Sequence, residues 1–449
     1  MERSKRLVRA KSDRLSSLPD AVLCHILSFL PTKLSVATSI LATRWRFLWA
    51  DVLNLDFDSA KHKQKYEMSF ADGKMSFADT INRVMLLRNV QDINTFRLII
   101  KKNTFIDDVR SLDTWIRNTI ARNVQALDIH LFHQDGLTLP PCLFTCQTLV
   151  DLRLHFCGCV PDAVFLPNLK KLRLDSFRYE GDEKLQDLIS GCPVLEELKI
   201  DTIIEHDLKS CVISSPTIKW LTLNLYISEP RESDFWDYEL VINTPEVRYL
   251  NVDNHIAQHI STGTFNSLVE ANICLCNDEV KDNVAYSSSV LELVDKLCQV
   301  KRLRLSSCYT QFLDATFATA TSRFINLTKL ELAADWIFLL KFLESADNLQ
   351  VLIIGEVYDV KYWTEPQHVP MCLSSHLRQV TIDSFGYSED EFKTVSYFLR
   401  NGKVLNMMDI TSQEEGEIES VLEAKFDALR RISEFERQSV TFLLKYCDE

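Results

Sequence analysis

The residues best suited to chemistry are two histidines and two cysteines: His130-x-x-His133, then Cys142 and Cys146, the donor types of a tetrahedral zinc site. His255 and His259 are four apart and could share a helix face. Cys157-x-Cys159 and Cys274-x-Cys276 stand too close for an ordinary disulfide and have no matching second pair. His130 directly follows the Leu127 and Ile129 positions of a repeating strand pattern, which accounts for it without a metal. No cysteine stands out as a conjugating nucleophile. No C-x-x-C pair exists, so ribbon, RING and thioredoxin-type signatures are absent. No metal and no cofactor are expected, and the chain is expected not to be an enzyme.

Ten glycines, the nearest two (Gly181 and Gly191) ten apart, leave no GxxxxGK loop, GxGxxG turn or GxSxG elbow. The thirteen cysteines are odd in number and scattered, which reads as reduced thiols in a cytoplasmic and/or nuclear protein. The net charge of −13 argues against nucleic acid or an anionic membrane as a general partner. No apolar run approaches the ~20 residues of a membrane span. At 449 residues, 46% hydrophobic and 25% charged, the chain is globular and long enough for about three domains. Residues 1–12 form a basic arm.

Two kinds of element must position whatever site exists. Between 13 and 58 the texture is helical. Ser17 is a candidate cap, Pro19 suits a first turn and Asp20 suits the helix dipole. Leu18, Val22, Leu23, Ile26, Leu27 and Leu30 recur at helical spacing until Pro31, and Val36, Ile40, Leu41, Trp45, Leu48 and Trp49 form a second run. About 45 residues make a marginal core, and the first helix is apolar on more than one face. Either the rest of the chain or a partner protein must cover the surplus.

After a polar linker, 59–76, comes a period. The unit L-x-x-L-x-L starts twelve times between Ile93 and Leu377, in steps of 20 to 32 residues with a mean near 26, within the leucine-rich-repeat range. The last two apolar residues of each unit face a shared core, and the alternating residues line the opposite sheet face. On that face Arg153, Arg173 and Lys199 fall at equivalent positions of three successive units, with Trp220 and Tyr249 in the next two. Arginine and exposed aromatics are enriched in binding hot spots. These five residues are the candidate target-binding set, expected to hold an acidic or phosphorylated segment.

DRLSSLPDAVLCHILSFLPTKLSVATSILATRWRFLWADVLNLDFD (13–58) resembles a plant F-box, with Ala42-Thr43 standing where the pattern has Ser-Lys. LPPCLFTCQTLVDLRLHFCG, LPNLKKLRLDSF and GCPVLEELKI resemble the leucine-rich repeats of plant F-box proteins, and 363–410, with FGYSEDE and FLRNGKVLNMM, resembles an FBD domain. The fold this implies is multidomain: a small all-α knot, an irregular α/β leucine-rich-repeat solenoid over 77–362, and an FBD segment capping it. The tail, 411–449, departs from the family and reads as an acidic amphipathic helix. The resemblance implies docking on a Skp-type adaptor, and through it a cullin, by Leu18, Pro19, Val22, Leu23, Ile26, Leu27 and Leu30, with Trp45 and Trp49 bracing the knot. It implies a substrate-recognition subunit of an SCF-type ubiquitin ligase. The alternative is an interaction scaffold whose F-box engages no cullin complex.

Overall fold

The computed structural model describes residues 15, 17–62, 76–101, 111–132, 139–157, 160–177, 181–204, 208–226, 238–254, 259–275, 283–307, 323–333, 336–355, 363, 365–366, 368–412, 418–438 and 443–447. The basic arm and most of the linker lie outside these residues. The chain divides into two compact units, residues 1–178 with 191–194, and residues 179–190 with 195–449.

The first unit opens with helices Asp20–Leu27 and Thr32–Ala37 and then three short 3-10 turns, Thr38–Ile40, Thr43–Arg46 and Leu48–Asp51. Pro19 and Pro31 occupy the N-cap positions of the two helices, and neither cap has a side-chain hydrogen bond. Pro31 therefore begins the second helix, while the first already ends at Leu27, with Ser28 as its C-cap. Five parallel strands follow: β1 (Asn54–Asp58), β2 (Thr95–Ile100), β3 (Ala126–Leu131), β4 (Asp151–His155) and β5 (Lys171–Asp175). Helices Phe77–Leu87 and Leu112–Ile120 flank them in sequence, the first closed by a Ser76/Asp79 capping box.

The second unit continues the pattern with β6 (Glu197–Ile203), β7 (Ser210–Ser214), β8 (Trp220–Tyr226), β9 (Glu239–Asn243), β10 (Tyr249–Asn254), β11 (His259–Thr262), β12 (Glu270–Leu275), β13 (Arg302–Ser307), β14 (Lys329–Ala333), β15 (Val351–Ile354), β16 (Gln379–Phe385), β17 (Met407–Ser412) and β18 (Leu443–Cys447). Ten of them make one parallel sheet in the order β6-β8-β10-β12-β13-β14-β15-β16-β17-β18, while β7, β9 and β11 form a second small parallel sheet. The FBD-like segment supplies β16, the capped helix Glu389–Asn401 and β17. The tail supplies helix Ile418–Ser433 and β18, so it ends on a strand and not on a helix alone.

Every one of the twelve apolar triplets read from sequence lies in the core, from Ile93/Phe96/Leu98 to Leu377/Val380/Ile382. Registers set apolar residue over apolar residue, such as Leu152 opposite Leu172 and Leu221 opposite Leu250. One carbonyl just ahead of each strand accepts two N–H bonds from the next repeat. Lys219 O takes Arg248 and Tyr249, and Val269 O takes Lys301 and Arg302. That double acceptance fixes the register of each step.

A second device recurs at strand ends. Phe156, Ser176 and Ser384 adopt φ of 54°, 48° and 58°, and the residue after each, Cys157, Phe177 and Phe385, turns into the core. The left-handed conformation costs an L-residue about 1–2 kcal/mol, and burial of the following side chain offsets it. Ser176→Gly should raise stability by up to about 1 kcal/mol, whereas Ser176→Val should cost about 2 kcal/mol. Denaturant midpoints of the full chain measure both.

Buried thiols fill the same core. Burial pushes Cys192, Cys211 and Cys372 up to about 12 and Cys157 higher still, so all four stay protonated and non-nucleophilic. Their folded values lie above the ordinary 9.0. The stability they contribute is complete below pH ~9 and is lost as pH rises from there toward the folded values, because the unfolded thiols ionise first. At neutral to mildly alkaline pH a thiol reagent should modify the half-exposed Cys142 and Cys298 in the native protein, and these four only after denaturation. Mass spectrometry of the labelled peptides reads the result.

Candidate docking faces

The N-terminal knot closes a core of its own from Leu23, Leu27, Trp45, Leu48 and Val52, with Leu18 and Cys24 packed against it. Arg44 locks the first helix by donating to Asp20 Oδ1 (3.0 and 2.6 Å) and to the Leu18 carbonyl (2.6 Å). Cys24 Sγ donates to Leu48 O, and burial, with the Asp51 and Asp20 charges, raises its thiol. Hydrogen bonds fasten the knot to β1 and to the segment leading into β2. Asp56 N–H donates to Thr32 Oγ1 at 2.8 Å, Asn89 N–H to Ala50 O at 3.1 Å, and the Arg88 guanidinium to Val52 O at 2.6 Å. Burial lowers that guanidinium to about 10.

The residues expected at the adaptor face split into three sets. Leu23, Leu27 and Trp45 are buried inside the knot, while Leu18 and Trp49 are half-buried. Pro19, Val22, Ile26 and Leu30 are exposed. Periodicity did not single out Phe29 or Leu34, exposed by 75% and 53%, or Phe47, at 63%. Ile40 and Leu41, members of the second apolar run, lie 85% and 66% exposed. The reason is local. That run breaks into 3-10 turns around Ala42, which is extended at φ −161°, so 3.6-residue spacing no longer marks one face.

The outward sheet faces carry mostly polar and charged side chains, several of them paired with one another. In the first unit Arg153 and Arg173 are register partners on β4 and β5. Arg153 forks onto Asp151 of its own strand at 3.3 and 3.1 Å, and Arg97 sits between Asp56 and Asp128 at 3.6 and 3.2 Å. Burial would raise the Asp128 carboxyl, but the His130 hydrogen bond and the charges of His130, Arg97 and Arg153 hold it below the usual range. Lys199 belongs to the second unit, where it pairs in register with Thr222 and stands 4.0 Å from Asp201. Trp220 and Tyr249 are direct register partners, with Trp220 44% exposed and Tyr249 half-buried.

Those metal-type residues that the structure describes each meet other partners. His130 Nε2 lies 2.7 Å from Asp128 Oδ1, Cys146 is buried beside Thr148 Oγ1, and Cys142 lies 3.8 Å from the Arg117 guanidinium. His133, His255, Cys159 and Cys276 lie outside the described residues. His259 opens β11, a strand and not a helix. Among the described residues no group of three or more His, Cys, Asp or Glu is placed to hold a metal, and no helix is long and apolar enough to cross a membrane.

Family models match three stretches: an F-box domain over 15–56, FBD over 365–410, and over 112–250 a model described as "FBD-associated F-box protein At5g56370, LRR repeats". The F-box/LRR-repeat protein At4g14096 of Arabidopsis thaliana is 32% identical over 446 residues, covering 94% of this chain and 92% of its own. The F-box/FBD/LRR-repeat protein At3g52680 of the same plant is 31% identical over 420 residues, covering 89% and 85%. The F-box/LRR-repeat protein At4g14103, also from Arabidopsis, is 33% identical and covers 78% and 93%. A helical knot with its own core, parallel strands repeating about every 26 residues and an FBD segment, in that order, all agree with these matches, and the chain belongs to the plant F-box/LRR-repeat family that carries a C-terminal FBD domain.

Proposed function

We propose that this chain is the substrate-recognition subunit of an SCF-type ubiquitin ligase and contributes no catalytic residue. Its F-box grips a Skp-type adaptor and, through it, a cullin. The leucine-rich repeats and the FBD segment hold the protein to be modified. Candidate contacts on the repeat faces are Arg153 and Arg173 in one unit and Lys199, Trp220 and Tyr249 in the other. Catalysis is then by positioning: holding a target lysine near the ubiquitin-charged enzyme raises its effective concentration. The compartment we propose is the cytoplasm and/or nucleus, where thiols stay reduced.

The observation that carries this reading is the apolar surplus of the knot. Its core is complete, yet Phe29, Leu34, Ile40, Leu41 and Phe47 remain more than half exposed. Fully burying a side chain of this size is worth roughly 1.5–3 kcal/mol, so a partner covering several of them gains a stable interface. Five large apolar side chains so exposed within one small knot favour such an interface.

Phe29→Asp with Ile40→Asp should weaken co-purification with a plant Skp-type adaptor by about 100-fold or more. Stability should change by no more than about 0.5 kcal/mol per site, since both are surface positions. Leu23→Asp is not an equivalent test, because Leu23 is fully buried and its substitution unfolds the knot. An intact chain that captures no adaptor would instead be an interaction scaffold.

A further inference from the structure

The second unit carries an aromatic pair bracketed by acids. Along one row of outward positions, Glu197, Trp220, Tyr249 and Glu270 are consecutive register partners on β6, β8, β10 and β12. The next row is Lys199, Thr222, Asn251 and Asn272, and the third is Asp201, Asn224, Asp253 and Cys274. Across these four strands the face holds four carboxylates (Glu197, Asp201, Asp253, Glu270) against one cation, Lys199, itself 4.0 Å from Asp201. Arg302 of β13 reaches Glu270 at 2.5 Å and leaves the balance negative.

Two further features give this face a direction. Trp220 is 44% exposed although its strand neighbours Leu221 and Leu223 fill the core, so the indole is not needed to complete that core. Beside it runs a chain of side-chain amides: Asn272 donates to Asn251, Asn251 to Asn224 at 3.2 Å, and Asn224 to Asp201 at 3.0 Å. Each Nδ2 keeps a second hydrogen and each Oδ1 a second lone pair, the complement of a peptide group. Strands about 4.8 Å apart spread the four-residue row over roughly 14 Å, the reach of about four residues of extended chain.

We infer that the outward face of β6, β8, β10 and β12 docks an extended, basic segment of a partner protein, with an arginine stacked on Trp220 between Glu197 and Glu270. An arginine fits better than a lysine, because its planar guanidinium lies flat on an indole and forks onto a carboxylate. An acidic or phosphorylated segment would bring like charge against four carboxylates. The inference rests on the receptor reading only for the fate of the bound protein. Binding itself needs no adaptor, so either can fail without the other.

The test is fluorescence anisotropy on the full chain with two labelled peptides of equal length, one alternating Arg and Ser and one alternating Glu and Ser, at physiological ionic strength. The Arg-Ser peptide should bind and the Glu-Ser peptide should not. Trp220→Ala should weaken binding by about tenfold or more, while Trp220→Phe, which keeps a ring, should stay within about threefold of the native chain. Circular dichroism confirms that both variants fold. Equal or tighter binding of the Glu-Ser peptide, no binding of the Arg-Ser peptide, or an unchanged Trp220→Ala would each overturn the inference. The last of these would reduce the attraction to diffuse charge on an acidic protein.

Discussion

Burial of two apolar side chains per strand against the strands on either side is the contact on which this molecule depends. One strand such as β4 offers only Leu152 and Leu154 to the interior. Alone it would leave both half in water, but stacked between β3 and β5 it loses both to the core. The carbonyl that accepts two N–H groups at each step keeps apolar residue opposite apolar residue, since a slip of one residue would turn every apolar side chain to the outer face. With that core secured, the alternate positions are released from any packing duty. They can carry arginine, aspartate, tryptophan or asparagine without cost to the fold, and docking chemistry can be written there.

The repeat phase was legible because the apolar spacing is dictated by this one contact. Two further units obeyed it unnoticed. Val52-x-x-Leu55-x-Phe57 and Leu405-x-x-Met408-x-Ile410 have the same spacing and are all buried. They were hidden because one lies at the end of the helical knot and the other inside the FBD segment. Val52 in fact serves both cores, packing with Leu23 and Trp45 while leading into β1. What spacing could not convey was the left-handed turn at Phe156, Ser176 and Ser384. None of the three is glycine, so composition gave no sign of it.

The candidate faces were legible as residue types and much less as geometry. Apolar surplus in the knot followed from counting, but the division into core and surface did not. A 3-10 turn repeats every three residues, not every 3.6, so Ile40 and Leu41 emerge where a continuous helix would have hidden them. On the sheet, the basic row was visible as Arg153 and Arg173, while the acids that answer it sit two residues away on the same strand or at the facing position of the next one. Asp151 and Asp128 are cases of each. A row of like charges in sequence becomes a mixed lattice once strands align.

Fastening matters as much as exposure. In any protein that works by positioning one module against another, a floppy joint between the two dilutes the effective concentration that positioning raises. Here the knot and β1 share Val52, and Thr32, Ala50 and Val52 each take a hydrogen bond from the strand or from the segment leading into β2. The Arg88 guanidinium is partly withdrawn from water to make one of these bonds, and its lowered pKa records that desolvation. A charged group is held there against that cost because a backbone carbonyl at the joint needs a donor. Within the first unit the joint thus combines the shared packing of Val52 with hydrogen bonds to Thr32, Ala50 and Val52, so knot and β1 are tied through both side chains and backbone.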